Sequence, residues 1–202
     1  MSLYQKFLQA SQIPSDINEH VKTLFEYAAK CESVAEFGVR GGVSTFGLLY
    51  GLTQNNSESK KYIGVDINYC EISQTMSSEC KSANIDYQFI QHDSATVDLP
   101  EVDLLFIDSW HIYGHLKREL ENNHSRVKKY ILMHDTTIDG DLGESIRCNW
   151  NTFEQSKSSG YPEEEIRKGL WPAVTEFLEQ HKDWKLLEKY TNNNGLTILQ
   201  RV

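Results

Sequence analysis

No stretch of this sequence approaches the roughly 20 consecutive apolar residues that a membrane-spanning helix requires, so no bilayer span is expected. Basic clusters are missing too. Lys and Arg total 20 against 29 Asp and Glu, the formal net charge is −9, and no Lys/Arg block interrupts the chain. Nucleic acid needs a positive surface to neutralise its phosphates, so neither it nor a membrane is the expected partner. Cysteine is sparse: Cys31, Cys70, Cys80 and Cys148 form no CxxC pair and have no second ligand at zinc-finger spacing. They read as free thiols in a reducing compartment. The opening MSLYQKFLQASQIPSD lacks a basic segment followed by an apolar one, so no signal peptide is expected and the cytoplasm is the expected location. Internal repeats and low-complexity tracts are absent.

What remains is an ordinary globular composition, 39% hydrophobic and 24% charged over 202 residues, enough for one core and one domain spanning 1–202. Residues 1–32 read as an N-terminal helical segment. Within it, Asp16 and Glu19 have capping-box spacing, and Ile17, Val21, Leu24, Phe25 and Ala28 recur at helical spacing, which predicts a helix over 16–30. Short apolar segments then alternate with helical ones. The segments are SVAEFGV, KYIGVDI, DYQFIQHD, VDLLFID and KKYILMHD; the intervening helices are expected near 44–52, 70–83 and 113–127. Such alternation, with strands apolar on both faces, predicts a parallel sheet covered by helices on both sides. Pro172 opens a last helix, and WKLLEKY and GLTILQR flank Asn192-Asn193-Asn194-Gly195, a hairpin signal. The expected fold is α/β, Rossmann-like and doubly wound, with a mostly parallel seven-stranded sheet finished by an antiparallel hairpin. From Thr136 to Lys168 no periodicity is visible; irregular stretches of that length are usually functional, so 136–170 is the expected substrate loop region.

In open α/β sheets, ligands bind beyond the carboxyl ends of the strands. The first strand ends in Glu36-Phe-Gly38-Val-Arg40-Gly41-Gly42-Val-Ser44. A dinucleotide fingerprint, GxGxxG, would need glycine where Arg40 stands, which argues against a dinucleotide or nucleotide-sugar enzyme. Asp66 ends the second strand, where a carboxylate can accept from both ribose hydroxyls. Asp93-Ser94 ends the third. Asp108-Ser-Trp110-His111 ends the fourth, and His134-Asp135 ends the fifth. Two acids and two histidines thus converge on one sheet edge.

The ExGxxxGxS spacing resembles the first motif of class I S-adenosylmethionine-dependent methyltransferases. Asp108 followed three residues later by His111, with a further acidic site one strand on, resembles the sugar O-methyltransferases of glycan and natural-product pathways. The resemblance runs from Val34 to the terminal hairpin. It implies S-adenosylmethionine held by Glu36, Gly38, Gly42, Ser44 and Asp66, with Asp93 and Ser94 against the adenine. It also implies a divalent cation at Asp108 and Asp135, with His134 as a third ligand, and His111 with Asp108 as the catalytic pair. Those relatives commonly carry two adjacent acids where this chain has His134-Asp135. Mg²⁺ prefers oxygen ligands, so the imidazole leaves Mn²⁺ or no metal open.

The implied activity is methyl transfer to a hydroxyl of a sugar or another small acceptor, with His111 as general base. A catechol-like acceptor and a non-catalytic nucleotide-binding module of the same fold are the alternatives. A homo-oligomer is left open. Trp110 is a candidate to stack on a sugar ring, whereas Trp150 and Trp171 are expected in the core. His20, His92, His115, His124 and His181 are expected on solvated faces.

Overall fold

The computed structural model describes residues 1–202. The five apolar segments form β1 (Ser33–Phe37), β2 (Lys60–Asp66), β3 (Ile85–Gln91), β4 (Val102–Ile107) and β5 (Val127–His134). These run parallel. The hairpin strands β6 (Trp184–Tyr190) and β7 (Leu196–Arg201) complete the sheet, in the order β3-β2-β1-β4-β5-β7-β6, with β7 antiparallel to both its neighbours. This is the expected fold. β1 pairs with β2 on one side and β4 on the other, so the strand order reverses there and a crevice opens beyond their carboxyl ends. The inner strand β4 is buried throughout. At the edge, β3 exposes Asp86 and Gln88, so the apolar-on-both-faces pattern belongs to the inner strands only.

Helices cover both faces: α1 (Leu3–Gln12), α2 (Val21–Ala28), α3 (Val43–Thr53), α4 (Ile72–Ser82), α5 (Tyr113–Asn123) and α9 (Leu170–Gln180). One core gathers Leu24, Leu48, Leu49, Tyr62 and Met76; the other gathers Phe37, Leu105, Leu116, Ile131 and Phe177. No helix is long and apolar enough to cross a membrane.

The N-terminus differs from the expected single helix. Ser2 and Gln5 form a reciprocal capping box that starts α1. Asp16 and Glu19 form none. The Asp16 carboxylate instead faces Arg40 at 3.7 Å, and Asn18 Oδ1 accepts from the Ser15 amide. The chain makes one 3-10 turn at Asn18–His20 before α2 begins.

The stretch without periodicity holds three short helices, α6 (Glu144–Arg147), α7 (Thr152–Ser159) and α8 (Glu163–Arg167). Its two ends meet through a bridge between Leu142 and Lys168. Helices this short carry too few turns to display a repeat.

The hairpin turn does more than reverse the chain. Asn193, Asn194 and Gly195 are all left-handed, at φ +43°, +69° and +97°. Asn192 O accepts from His20 Nε2 at 2.9 Å, Asn193 O accepts from His134 Nε2 at 3.1 Å, and Asn194 O accepts from the Thr137 and Ile138 amides at 3.0 Å. His20 is buried rather than solvated because this turn needs its donor.

α3 crosses α2 on glycines. A Cβ on Gly47 would lie 2.7 Å from Val21 O, and one on Gly51 would lie 2.5 Å from Phe25 O. Gly51→Ala is therefore expected to destabilise the protein by about 1–3 kcal/mol through overpacking, although alanine is favoured over glycine in a helix interior by roughly 1 kcal/mol. Urea unfolding measures the sign. A stabilised variant would contradict the close α2–α3 contact.

Candidate active site

The turn after β1 is built from backbone that only particular residues adopt. Gly38 (φ +88°) and Gly42 (φ +79°) are left-handed, as is Arg40 (φ +44°). A Cβ on Gly38 would run into the Asp108 carbonyl, and one on Gly42 would run into the Met76 methyl. The strand ends are clasped by the Asp108 amide donating to Phe37 O at 2.8 Å and the Gly38 amide donating to Val65 O at 2.9 Å. Asp66 fixes the turn from the next strand. Its Oδ2 accepts from the Val39 and Arg40 amides, both at 3.0 Å, and its Oδ1 accepts from the Asn68 amide at 2.9 Å.

Glu36 and Ser44, expected at the cofactor, bond to each other instead. The fully buried Glu36 carboxylate accepts from the hydroxyls of Ser44, Thr45 (2.6 Å) and Tyr62. Burial pushes its pKa up to about 7, against those three donors. Gly42 packs on α4. These three residues shape the turn from behind; none borders the crevice.

Gly38, Asp66, Asp93, Ser94 and Asp108 do border it, around a cavity of about 800 Å³. Several other wall residues carried no sequence signal. Ile67 is an exposed aliphatic side chain beside Asp66. His115, Glu144, Trp150 and Tyr161 also line the wall. His115 is buried, not solvated, and bonds to Ser94 and Tyr161. Trp150 is exposed at the wall rather than in the core. Trp110 stands edge-on to Tyr161, with centroids 5.6 Å apart.

Beyond β4 and β5 lies a buried cluster of charge. Asp135 is left-handed (φ +56°) directly after β5, which turns its carboxylate toward β4. His111 Nε2 lies 3.2 Å from Asp108 Oδ1, and its Nδ1 lies 2.8 Å from Asp135 Oδ2 and 3.4 Å from Asp139 Oδ2. Glu144 Oε2 is 3.7 Å from the same Nδ1. Asp139 is tied bidentately to Arg147, at 2.6 and 2.8 Å. His134 Nδ1 lies 3.2 Å from Asp108 Oδ1. Burial alone would raise the Asp108 carboxyl, but the two histidines outweigh it and hold the group well below the usual carboxylate range. Burial alone would lower His111 and His134, but the carboxylates beside them raise both.

The donor atoms that come together are those of Asp108, His111 and Asp135, all within 4.8 Å of one another. His134, expected as a third ligand, is not among them; its Nε2 is committed to Asn193 O. His111 Nδ1 and Asp135 Oδ1 lack a hydrogen-bond partner of acceptable geometry although both are buried. A mixed nitrogen–oxygen set with unsatisfied atoms fits a divalent cation that tolerates imidazole, such as Mn²⁺, better than it fits Mg²⁺.

Comparison with known proteins bears on this arrangement. No curated protein matches the chain in sequence. The solved O-methyltransferase TomG from Streptomyces achromogenes, involved in tomaymycin synthesis and determined with S-adenosylmethionine, is similar at 12% identity and TM-score 0.61. The match covers 98% of this chain and 90% of that one. An O-methyltransferase from Bacillus cereus in complex with S-adenosylhomocysteine is similar at 14% identity and TM-score 0.56, over 99% and 90% of the two chains. The N-terminal domain of EvdMO1, determined with S-adenosylhomocysteine and D-fucose, is similar at 14% identity and TM-score 0.50, over 95% and 84%. At such identities the likeness establishes the fold. The family rests on sequence: a profile described as "Methyltransferase domain" matches residues 35–136, half of the chain. That span begins in β1, takes in the glycine turn, Asp66 and Asp108, and ends beyond Asp135, so this chain belongs to the class I S-adenosylmethionine-dependent methyltransferases.

Proposed function

We propose that this protein transfers the methyl group of S-adenosylmethionine to a hydroxyl of a neutral, polyhydroxylated acceptor, a sugar or a sugar-like metabolite. The observation that carries the reading is the single crevice bordered by Gly38 and Asp66 of the turn and by Asp108 and Glu144 of the charge cluster; His111 and Asp135 are buried off its wall, with His111 3.2 Å from Asp108 and 2.8 Å from Asp135. Asp66 would accept a ribose hydroxyl on Oδ1, which takes one backbone bond and keeps a second lone pair, while Oδ2 is filled by the Val39 and Arg40 amides. Ile67 and Trp110, with Asp93 and Ser94 beside them on the cavity wall, would hold the adenine, and Gly38, where no Cβ could be accommodated, would hold the methionine part on the side of Asp108.

The acceptor end supports a neutral polyol. Asp108, Asp135, Asp139 and Glu144 gather there, and Arg147 is engaged with Asp139. Asp108 and Glu144 are the two of these acids that border the cavity, and sugar hydroxyls can donate to them; the guanidinium on the cavity wall, Arg40, belongs to the glycine turn and faces Asp16. Trp150, about half exposed at the wall, offers a ring face for the apolar side of a pyranose. The D-fucose present with the EvdMO1 domain points the same way.

The sulfonium carries the reactive methyl, so the protein has two tasks. It aligns acceptor oxygen, methyl carbon and sulfur, and it removes the hydroxyl proton. His111 takes that proton in the fraction of enzyme whose ring is neutral, and Asp108 and Asp135 on either side stabilise the imidazolium it becomes; the same acids raise its pKa, so turnover should rise with pH as the ring loses its proton. The unsatisfied Nδ1 and Asp135 Oδ1 favour a second reading, in which Asp108, His111 and Asp135 hold a divalent cation. Such an ion, when bound, supplies positive charge that stabilises the developing alkoxide.

Asp66→Ala is expected to weaken S-adenosylhomocysteine binding about 10- to 100-fold, the loss of a charged acceptor; calorimetry showing unchanged affinity would remove Asp66 from the cofactor site. His111→Gln should lower kcat by about 10²–10⁴-fold while leaving that affinity nearly intact. Near-normal turnover by the variant would make His111 structural. Chelation separates the two readings: activity that persists in EDTA fits His111 as base, while loss restored by Mn²⁺ in preference to Mg²⁺ fits the cation.

A further inference from the structure

The segment between β5 and α9 reaches past the acceptor end. Its residues Gln155, Ser158, Ser159 and Tyr161 line the same cavity as Asp93, Ser94 and Trp110. Tyr161 is held there by several contacts. Its hydroxyl lies 3.0 Å from His115 Nδ1. The Arg118 guanidinium sits over its ring, 4.4 Å from the centroid. Gly114 leaves it room, since a Cβ there would lie 3.0 Å from Tyr161 Cδ1.

His115 in turn leans on a buried acid. Its Nε2 lies 3.0 Å from Ser94 Oγ and 3.4 Å from Glu119 Oε1. Glu119 is fully buried and also accepts from Ser109 Oγ at 2.6 Å. A carboxylate buried beside an imidazole favours the cationic ring, and His115 is raised accordingly: burial lowers its pKa, but Glu119 and Asp93 together outweigh this. A cationic ring donates from both nitrogens. Nδ1–H then donates to the Tyr161 oxygen, and the phenol keeps its own proton free to donate elsewhere. The Asp93 carboxylate borders the same cavity, its Oδ1 accepting from the Ala95 amide and its Oδ2 taking no hydrogen bond. A hydroxyl donor on the same cavity as that acceptor complements one edge of adenine, where the unprotonated N1 neighbours the 6-amino group.

We propose that Tyr161, positioned by His115, donates to the adenine N1 of the cofactor, so that the segment after β5 recognises the purine as well as bordering the acceptor. This rests on the S-adenosylmethionine reading above. A 6-oxopurine carries a proton on N1 and an oxygen in place of the amine, so it would face donor against donor and acceptor against acceptor.

The test is calorimetric binding of S-adenosylhomocysteine and of S-inosylhomocysteine, which differs only in the base. Wild type should prefer the adenosyl ligand by about 10-fold or more, and Tyr161→Phe should weaken that ligand by about 5- to 10-fold, as expected for one hydrogen bond. The inosyl ligand should be little changed, so the preference collapses. His115→Gln should show a smaller collapse, because a neutral amide donates to one partner only. In turnover, Tyr161→Phe should raise the KM for S-adenosylmethionine and spare kcat. Melting temperature checks that both variants fold. Equal weakening of both ligands would make Tyr161 merely structural and overturn the proposal. If wild type binds neither ligand, the S-adenosylmethionine reading fails and takes this one with it; if wild type binds both alike, only the base-reading role is lost.

Discussion

Beyond β4 and β5, Asp135 and Asp139 are buried and Asp108 is largely covered at the crevice edge, so little of their charge can be balanced by water. An isolated buried carboxylate costs far more than a folded domain can spare, so each must find a cation or a donor. Asp108 has His111 and His134, Asp135 has His111, and Asp139 has Arg147. The neighbouring structure follows from holding those partners in place. His134 is oriented by the Asn193 carbonyl, which requires the left-handed hairpin turn. Arg147 belongs to the segment after β5, which therefore docks over the cluster. Removing one member leaves the others unpaired, so the cluster acts as a unit and not as separate residues.

The same edge of the sheet meets a second constraint at the strand-order reversal. β1 and β4 end so close together that Gly38 has no room for a side chain beside the Asp108 carbonyl. That proximity places the glycine turn and the Asp108 edge of the charge cluster on one cavity. Methyl transfer needs this juxtaposition, because the donor carbon and the acceptor oxygen must be collinear with sulfur. Glu36 serves it from underneath by clamping the first turn of α3 through Ser44 and Thr45.

Much of this was legible in the sequence. The apolar segments named the five parallel strands, since inner strands buried on both faces read as continuous apolar runs, and the Asn192–Gly195 turn signal named the hairpin pair. The acids at the strand ends marked the sheet edge, since ligands of open α/β sheets bind there. Of the expected cofactor residues, Gly38, Asp66, Asp93 and Ser94 border the cavity. Glu36, Gly42 and Ser44 do not, because the motif records residues that shape the turn along with those that face a ligand. His115 and Tyr161 gave no signal; they meet only in space, 46 residues apart. The N-terminal capping spacing at Asp16 misled for a related reason. Arg40 and Asn192, both brought in by tertiary contact, took the carboxylates of Asp16 and Glu19 that a cap would have used.

The central claim is that one cavity holds the cofactor with its sulfur against the Asp108–His111 cluster. A crystal structure of the protein with S-adenosylhomocysteine tests it most directly. The expected complex has a ribose hydroxyl on Asp66 Oδ1, adenine between Ile67 and Trp110, and sulfur beside Gly38 facing Asp108. A ligand bound elsewhere, or bound with its sulfur turned away from Asp108 and His111, would contradict it.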